Sequence, residues 1–400
     1  MIKFAVQYLE DGPGIAEITP VQARERLHEA FARLPFSYVL LGWHLPEDVV
    51  QACAEETARN GAQLYRWHPL LTGDGVLDPL LAWQTVGLDG ARVPGFQGMP
   101  EFTFICPNRP AVREAVMAHL RLLCRSGVYQ GMFLDRIRFP SPAVAPDRAI
   151  ACFCDDCVRA AAYEGLDLLQ IRADIRTMLQ DRGNVCSFVR VLLDPAAVQE
   201  DDPGLVSLRH LLSFRARSVT RFVVDAAKLV HDEGLEVGLD CFSPALTWMV
   251  GQDLCALDAC CEWIKTMSYA HVLGPAGLPF ELLGLADWMV DQGMDEGAAL
   301  ACLAEASRLP LPGDRVGLRE NGLGLEAIAL EIRRAKDEGT RRLLVGLELV
   351  EVAGVAHIED DEIGPRTHTL RHEGADGTVL SWDLWHMPLD RLDIVREYAG

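Results

Sequence analysis

The run C-F-C-D-D-C at positions 152–157 places Cys152, Cys154 and Cys157 within one tight turn. Such a group implies disulfides, a redox pair or a metal site. A chain of 400 residues with twelve cysteines does not read as a disulfide framework, because a core of that size needs no staples. Cys53, Cys124, Cys186, Cys255 and Cys302, in helix-like contexts, read instead as small buried apolar side chains. A redox C-x-x-C belongs at the strand-to-helix turn of a thioredoxin-like fold, which the flanking sequence does not resemble. A structural zinc wants four soft ligands in a tetrahedron, and C-x-C-x-x-C supplies three of them. Cys106, in FICPNRP just before a helical pattern, is the candidate fourth. Four thiolates leave no open coordination position, so the metal would pin a loop rather than perform chemistry.

The second chemistry-bearing set is acidic. Asp135, Asp240, Glu348 and Asp383 lie at the C-terminal ends of otherwise apolar runs, with Glu351 just beyond. Burying such groups unpaired is costly, so their recurrence at one end of several strands asks for a purpose. Two carboxyls facing each other across a pocket could cleave a glycosidic bond, one protonating the leaving oxygen and one attacking or activating water. Each acid also has a structural reading: an ion pair with Arg136 or Arg138 for Asp135, a solvated outward position for Glu348, an anchor for Ser243 in the case of Asp240, and a buried structural role for Asp383. Trp43, His44, Trp67, His68, Tyr269, His271, Trp382 and Trp385 cluster near the same ends and could pack on sugar rings or bind hydroxyls, with Arg138 among them. Arg66, beside Trp67, could meet a uronic acid, although a surface ion pair is the plainer reading. H-E-x-x-H, G-x-S-x-G and P-loop patterns do not occur.

These residues are positioned by eight short apolar runs, at 2–9, 38–45, 63–70, 130–137, 236–242, 263–269, 342–350 and 378–385, each followed by a helical pattern. Asn108 and Pro110 can cap and start one helix that Gly127 ends, and another runs from Leu325 to Gly339. Near-continuous apolar strands alternating with amphipathic helices predict a (β/α)8 TIM barrel, an α/β fold, as a single catalytic domain over 1–400. An open doubly wound sheet is the alternative, but EDGPGIAEITP after the first strand lacks the G-x-G-x-x-G spacing. Residues 141–207, after strand four, form a long cysteine-bearing insertion, and the third connection spans 71–109. DRVGLRE at 314–320 reads as part of a long connection, with a ninth strand as the alternative.

A formal net charge of −21 disfavours nucleic acid and anionic membranes as partners. The N-terminus lacks a secretory pattern and no segment offers an apolar membrane span, so the expected location is cytoplasmic. A homo-oligomer is compatible with all of this.

C-P-N-R-P-A-V-R-E at 106–114, followed about 50 residues later by CFCDDC, resembles the zinc-binding pattern of the β-galactosidases of glycoside hydrolase family 42. In that family a (β/α)8 barrel carries a four-cysteine site beside the catalytic pocket. FLDRIRFP, GLDCFSP and TMSY also resemble the fourth, fifth and sixth strand ends of hypothetical barrel glycosidases, so the likeness covers about residues 100 to 270, with looser similarity in VGLELVEVAGVAHI and LSWDLW. Family 42 enzymes carry Asn-Glu at the end of strand four, where this chain has Leu134-Asp135, and their substrate is not carried over. The resemblance implies Glu348, at the end of strand seven, as nucleophile or base and Asp135 as general acid, with Asp240 able to replace either. It implies structural zinc, a small carbohydrate substrate and no organic cofactor. The rival readings are a lyase or isomerase acting on a sugar acid, with Asp135 and Asp240 holding a divalent cation, and a barrel that binds a saccharide without turning it over.

Overall fold

The computed structural model describes residues 2–10, 15–72, 81–196 and 202–399. Eight parallel strands close in sequence order: β1 Lys3–Tyr8, β2 Tyr38–Leu41, β3 Gln63–Pro69, β4 Gly131–Asp135, β5 Glu236–Phe242, β6 Trp263–Met267, β7 Leu343–Glu348 and β8 Gly377–Ser381, which pairs back onto β1. The predicted (β/α)8 barrel is therefore the observed fold. Several strands stop short of the apolar runs that announced them, so Trp43, Tyr269, Trp382 and Trp385 stand beyond the strand ends.

Strand alternation sorts the side chains into two populations. Val6, Val39, Leu64, Met132, Leu239, Ile264, Val345 and Leu380 join the large core shared with the helices. Ala5, Tyr38, Leu40, Tyr65, Phe133, Trp263, Leu344 and Val379 fill the barrel interior. The rings there need room, and two glycines provide it. A Cβ on Gly131 would stand 2.3 Å from the Tyr65 ring, and one on Gly238 would stand 2.2 Å from the Trp263 ring. The Phe133 and Trp263 rings stack at 5.2 Å between centroids. This aromatic floor fixes the level of whatever lies two residues further along each strand.

The third connection contains short 3-10 turns and antiparallel bridges, Thr72 with Phe104 and Gln84 with Ile105. The insertion after β4 holds helices Asp155–Tyr163, Leu168–Met178 and Val185–Leu193, before the 30-residue helix Pro203–Asp232 returns the chain to β5. The two segments are tied together by backbone hydrogen bonds, Leu88 N to Arg148 O at 2.7 Å and Phe153 N to Val86 O at 2.9 Å.

DRVGLRE lies in the long connection between β6 and β7, where Asp314 caps a helix over Arg315–Asn321, accepting from Gly317 N. Three sequence expectations are corrected. Asn108 does not cap Pro110–Cys124, because its side chain donates to Cys157 Sγ and Ser218 Oγ instead. Cys186 and Cys302 are not free buried thiols but a disulfide between helices Val185–Leu193 and Glu296–Ser307. Cys255 is exposed rather than buried. No helix among the described residues is long and apolar enough to cross a membrane.

Candidate functional site

One step above the aromatic floor the inward positions turn polar. Gln7 on β1, Asp135 on β4, Asp240 on β5 and Lys265 on β6 follow Ala5, Phe133, Gly238 and Trp263 by two residues each, and all four are buried. The β4–β5 register pairs Leu134 with Leu239, so Asp135 and Asp240 are next in line on neighbouring strands, and Asp240 is paired directly with Lys265 on β6. Three charged residues therefore run side by side at the C-terminal end of three consecutive strands, the face on which barrels of this kind build their sites.

Their partners differ. Asp135 Oδ2 accepts from Trp67 Nε1 at 2.9 Å, and Oδ1 accepts from the backbone N–H of Arg136. Asp240 Oδ2 accepts from Lys265 Nζ at 2.9 Å, and the same ammonium donates to Gln7 Oε1 at 3.0 Å. Asp240 Oδ1 is buried with no hydrogen-bond partner among the described residues. Burial pushes the Asp240 carboxyl up to about 7, with the charge of Asp135 adding to the rise and the Lys265 ammonium opposing it. Lys265 stays cationic despite complete burial because Asp240 and the Tyr269 ring, 5.2 Å from Nζ, surround it.

Glu348 ends β7 and is buried. Its Oε1 accepts from Ala270 N at 2.8 Å, His271 N at 3.1 Å and Arg366 Nη1 at 3.2 Å. It is thus neither solvated nor outward-facing, and it fixes the chain after β6. Asp383 accepts from Leu9 N at 2.9 Å, Glu10 N at 3.1 Å and Trp385 N at 2.9 Å, so both oxygens are engaged by backbone and it anchors the end of β8 to the end of β1. Burial also raises its carboxyl to about 7. Glu351 pairs with His357 at 2.6 Å and Arg391 at 3.1 Å on the surface.

The aromatic candidates divide in the same way. Trp67 faces the interior, packs edge-on against Trp43 at 5.2 Å and holds Asp135. Trp43 is fully buried and lies under the Arg136 guanidinium, 5.3 Å from the ring centroid. His44 is exposed. Tyr269 covers Lys265 and lies 6.5 Å from Trp382, while Trp385 packs half-buried on the core. The His271 ring reaches Glu362 at 3.4 Å. His68 departs from expectation. One residue after Trp67, it occupies the opposite face of β3 and stacks on His119 of the helix Pro110–Cys124, 5.7 Å away. Arg66 shares that outward face and donates to Gly42 O, so neither ring nor guanidinium reaches the barrel interior.

Arg138, just past β4, is buried between the Phe104 and Phe242 rings and lines a cavity of about 430 Å³ bordered by the third connection and the insertion. Burial lowers the guanidinium to about 10, while Glu281, Asp135 and Asp240 work against that shift. Arg138, three residues past Asp135, carries the chain from the acidic pair to the cavity wall. Sequence reasoning missed Lys265, Gln7 and Glu281. The signal for Lys265 was present in WIKTM: an ionisable residue inside an apolar strand, the same argument that selected the acids.

The four cysteines do come together. The Sγ atoms of Cys106, Cys152, Cys154 and Cys157 all lie within 4.8 Å of one another and are buried. Cys106 is 3.3 Å from Cys157 and 3.6 Å from Cys154. A tetrahedral zinc with Zn–S near 2.3 Å sets its sulfurs about 3.8 Å apart, so the set fits such an ion. Val86 N and Asn108 Nδ2 each point at a sulfur from 3.3 Å, the outer-shell donors that thiolate ligands need. The group can hold a metal ion that links the third connection to the start of helix Asp155–Tyr163.

Comparison with protein-family models and with curated proteins finds no match. Among solved structures the chain is similar to a class V chitinase from Pseudomonas fluorescens Pf-5, with TM-score 0.51 and 12% identity over 100% of both chains. It is similar to the catalytic domain of a β-amylase from Paenibacillus polymyxa, with TM-score 0.56 and 10% identity over 99% of this chain and 97% of the other. A β-galactosidase from the psychrophilic Marinomonas ef1 aligns with TM-score 0.56 and 11% identity, over 99% of this chain and 59% of that one. At such identities the likeness establishes the barrel, and the chemistry has to be argued from the residues.

Proposed function

We propose that the chain is a glycoside hydrolase in which the Asp135–Asp240 pair supplies the proton to the leaving oxygen and Glu348 is the opposing carboxylate. The observation that carries this reading is the pair itself: two buried carboxyls on neighbouring strands, one fully hydrogen-bonded and one with an unengaged oxygen. Burial, with the charge of Asp135 beside it, disfavours the ionised form of Asp240, so a proton is retained near neutral pH and Oδ1 is the atom free to carry it. Lys265 holds the other oxygen and so aims Oδ1. Glu348, fixed through Oε1 by Arg366 and two backbone N–H groups, has its second oxygen left to attack the sugar or to activate water. Trp67 positions Asp135 and Tyr269 screens Lys265 from water.

The names of the structural relatives agree with a saccharide substrate, and the four-cysteine group fits zinc as a loop clip rather than a reacting ion. The rival in which Asp135 and Asp240 hold a divalent cation is opposed by Lys265, whose ammonium already occupies the place beside Asp240. A panel of chromogenic aryl glycosides tests the proposal. With wild type active on at least one, Asp240→Asn and Glu348→Gln are each expected to lower kcat/KM by about 10²–10⁴. Undiminished turnover in both variants would overturn the assignment.

A further inference from the structure

The cavity beside the acids has an apolar wall of aromatic rings, Phe96, Phe102, Phe104 and Phe280, and a buried cation, Arg138. The Arg138 guanidinium stands 4.4 Å from the Phe104 centroid and 4.5 Å from that of Phe242. The guanidinium is therefore packed against two rings, and its N–H donors are what remains for a ligand to bind. One of them, Nη1, donates to Phe139 O at 3.2 Å, whereas Nε is buried with no hydrogen-bond partner among the described residues. An unmatched donor in such a place is costly. The acid on the same cavity wall does not relieve it: Glu281 spends Oε1 on Ala276 N at 2.9 Å and Oε2 on the Ser141 hydroxyl.

From this geometry we infer that Arg138 receives a carboxylate of the substrate, so that the saccharide class is one containing uronic acid. The inference rests on the glycoside hydrolase reading of the neighbouring acids. A guanidinium is a planar fork, and a carboxylate matches its edge with two parallel hydrogen bonds. A neutral hydroxyl would satisfy one donor only. The phenyl wall offers the apolar face of a pyranose a surface to pack on. Because Arg138 follows Asp135, the last residue of β4, by three residues, the acidic ring would occupy a subsite next to the bond that is cleaved.

The test is calorimetric binding of D-glucuronate, D-galacturonate and D-mannuronate, each against its methyl ester and its parent hexose. A charge-assisted hydrogen bond worth roughly 1.5–3 kcal/mol predicts that at least one acid binds about 10- to 100-fold tighter than its ester. In Arg138→Gln that preference is expected to disappear, and in Arg138→Lys to shrink. The acid-to-ester comparison uses wild type alone and so stands even where a variant fails to fold. Equal binding of acid and ester for all three sugars, no measurable binding of any acid, or an undiminished preference in folded Arg138→Gln would each overturn the inference. Cleavage of neutral aryl glycosides without any preference for acids would leave the hydrolase reading standing and sink this one. Preferential binding of a uronate by a protein that cleaves no glycoside would do the reverse.

Discussion

A carboxyl that titrates near 7 has consequences for both rate and stability, and the sign of each can be worked out for Asp240. Its unfolded value is about 3.9, and burial raises the folded one to about 7. The folded state thus holds the proton more tightly. The stabilising contribution is complete below about pH 4 and is lost as pH rises to about 7, because the unfolded chain ionises first. Asp383, also raised to about 7 by burial, adds a change of the same sign. Thermal melts at fixed ionic strength should show stability falling from pH 5 to pH 8, with part of the slope absent in Asp240→Asn. The proposed donor role requires the protonated form, so kcat/KM should decline above about pH 7 with the loss of one proton. A profile still rising through pH 8 would remove Asp240 from the donor role. At this scale the sequence was half legible. Asp135 and Asp240 stood out as acids in apolar runs, but Lys265 is equally anomalous in its strand and its pairing with Asp240 depends on a register that only the closed barrel defines.

The strands show why some candidates reach the interior and others do not. A period of two puts Trp67 and His68 on opposite faces of β3, so one adjacent pair of suggestive residues yields an Asp135 ligand and a helix-packing ring. Nothing in the composition of QLYRWHP says which face is which. That assignment comes from Gly131, which yields its space to Tyr65 and so turns Trp67, two residues on, inward. The cysteine clip belongs to the same scale, since it joins two connections rather than two atoms of a reaction. Elemental analysis of purified protein should find about one equivalent of zinc per chain, and Cys154→Ala should lose it. Limited proteolysis should then cut first within 141–207, while the barrel strands stay protected. Full zinc content in Cys154→Ala would exclude the four-sulfur site.

For the molecule as a whole, the barrel was legible because eight apolar runs alternate with helical patterns, a regularity independent of any single residue. The disulfide was not, because Cys186 and Cys302 are separated by 116 residues and spacing carries no pairing information. It fastens the insertion to a helix that follows β6, and closing a loop of that size restricts the unfolded chain by an amount that the chain-entropy model puts at about 4–5 kcal/mol. Denatured, metal-free protein should titrate ten thiols before reduction and twelve after, and Cys302→Ser should lower the Tm by several degrees. Twelve thiols without reduction would show the bond absent. The arrangement of the sulfurs carries one more consequence. Cys106 lies two residues beyond Phe104 and Cys152 three beyond Ala149, so the clip gathers both margins of the Arg138 cavity. On the proposed reading, metal and sugar binding are reciprocally linked: a saccharide seated against those margins should raise the equilibrium affinity for zinc against a chelator, and the apo protein should bind the same saccharide more weakly by that factor.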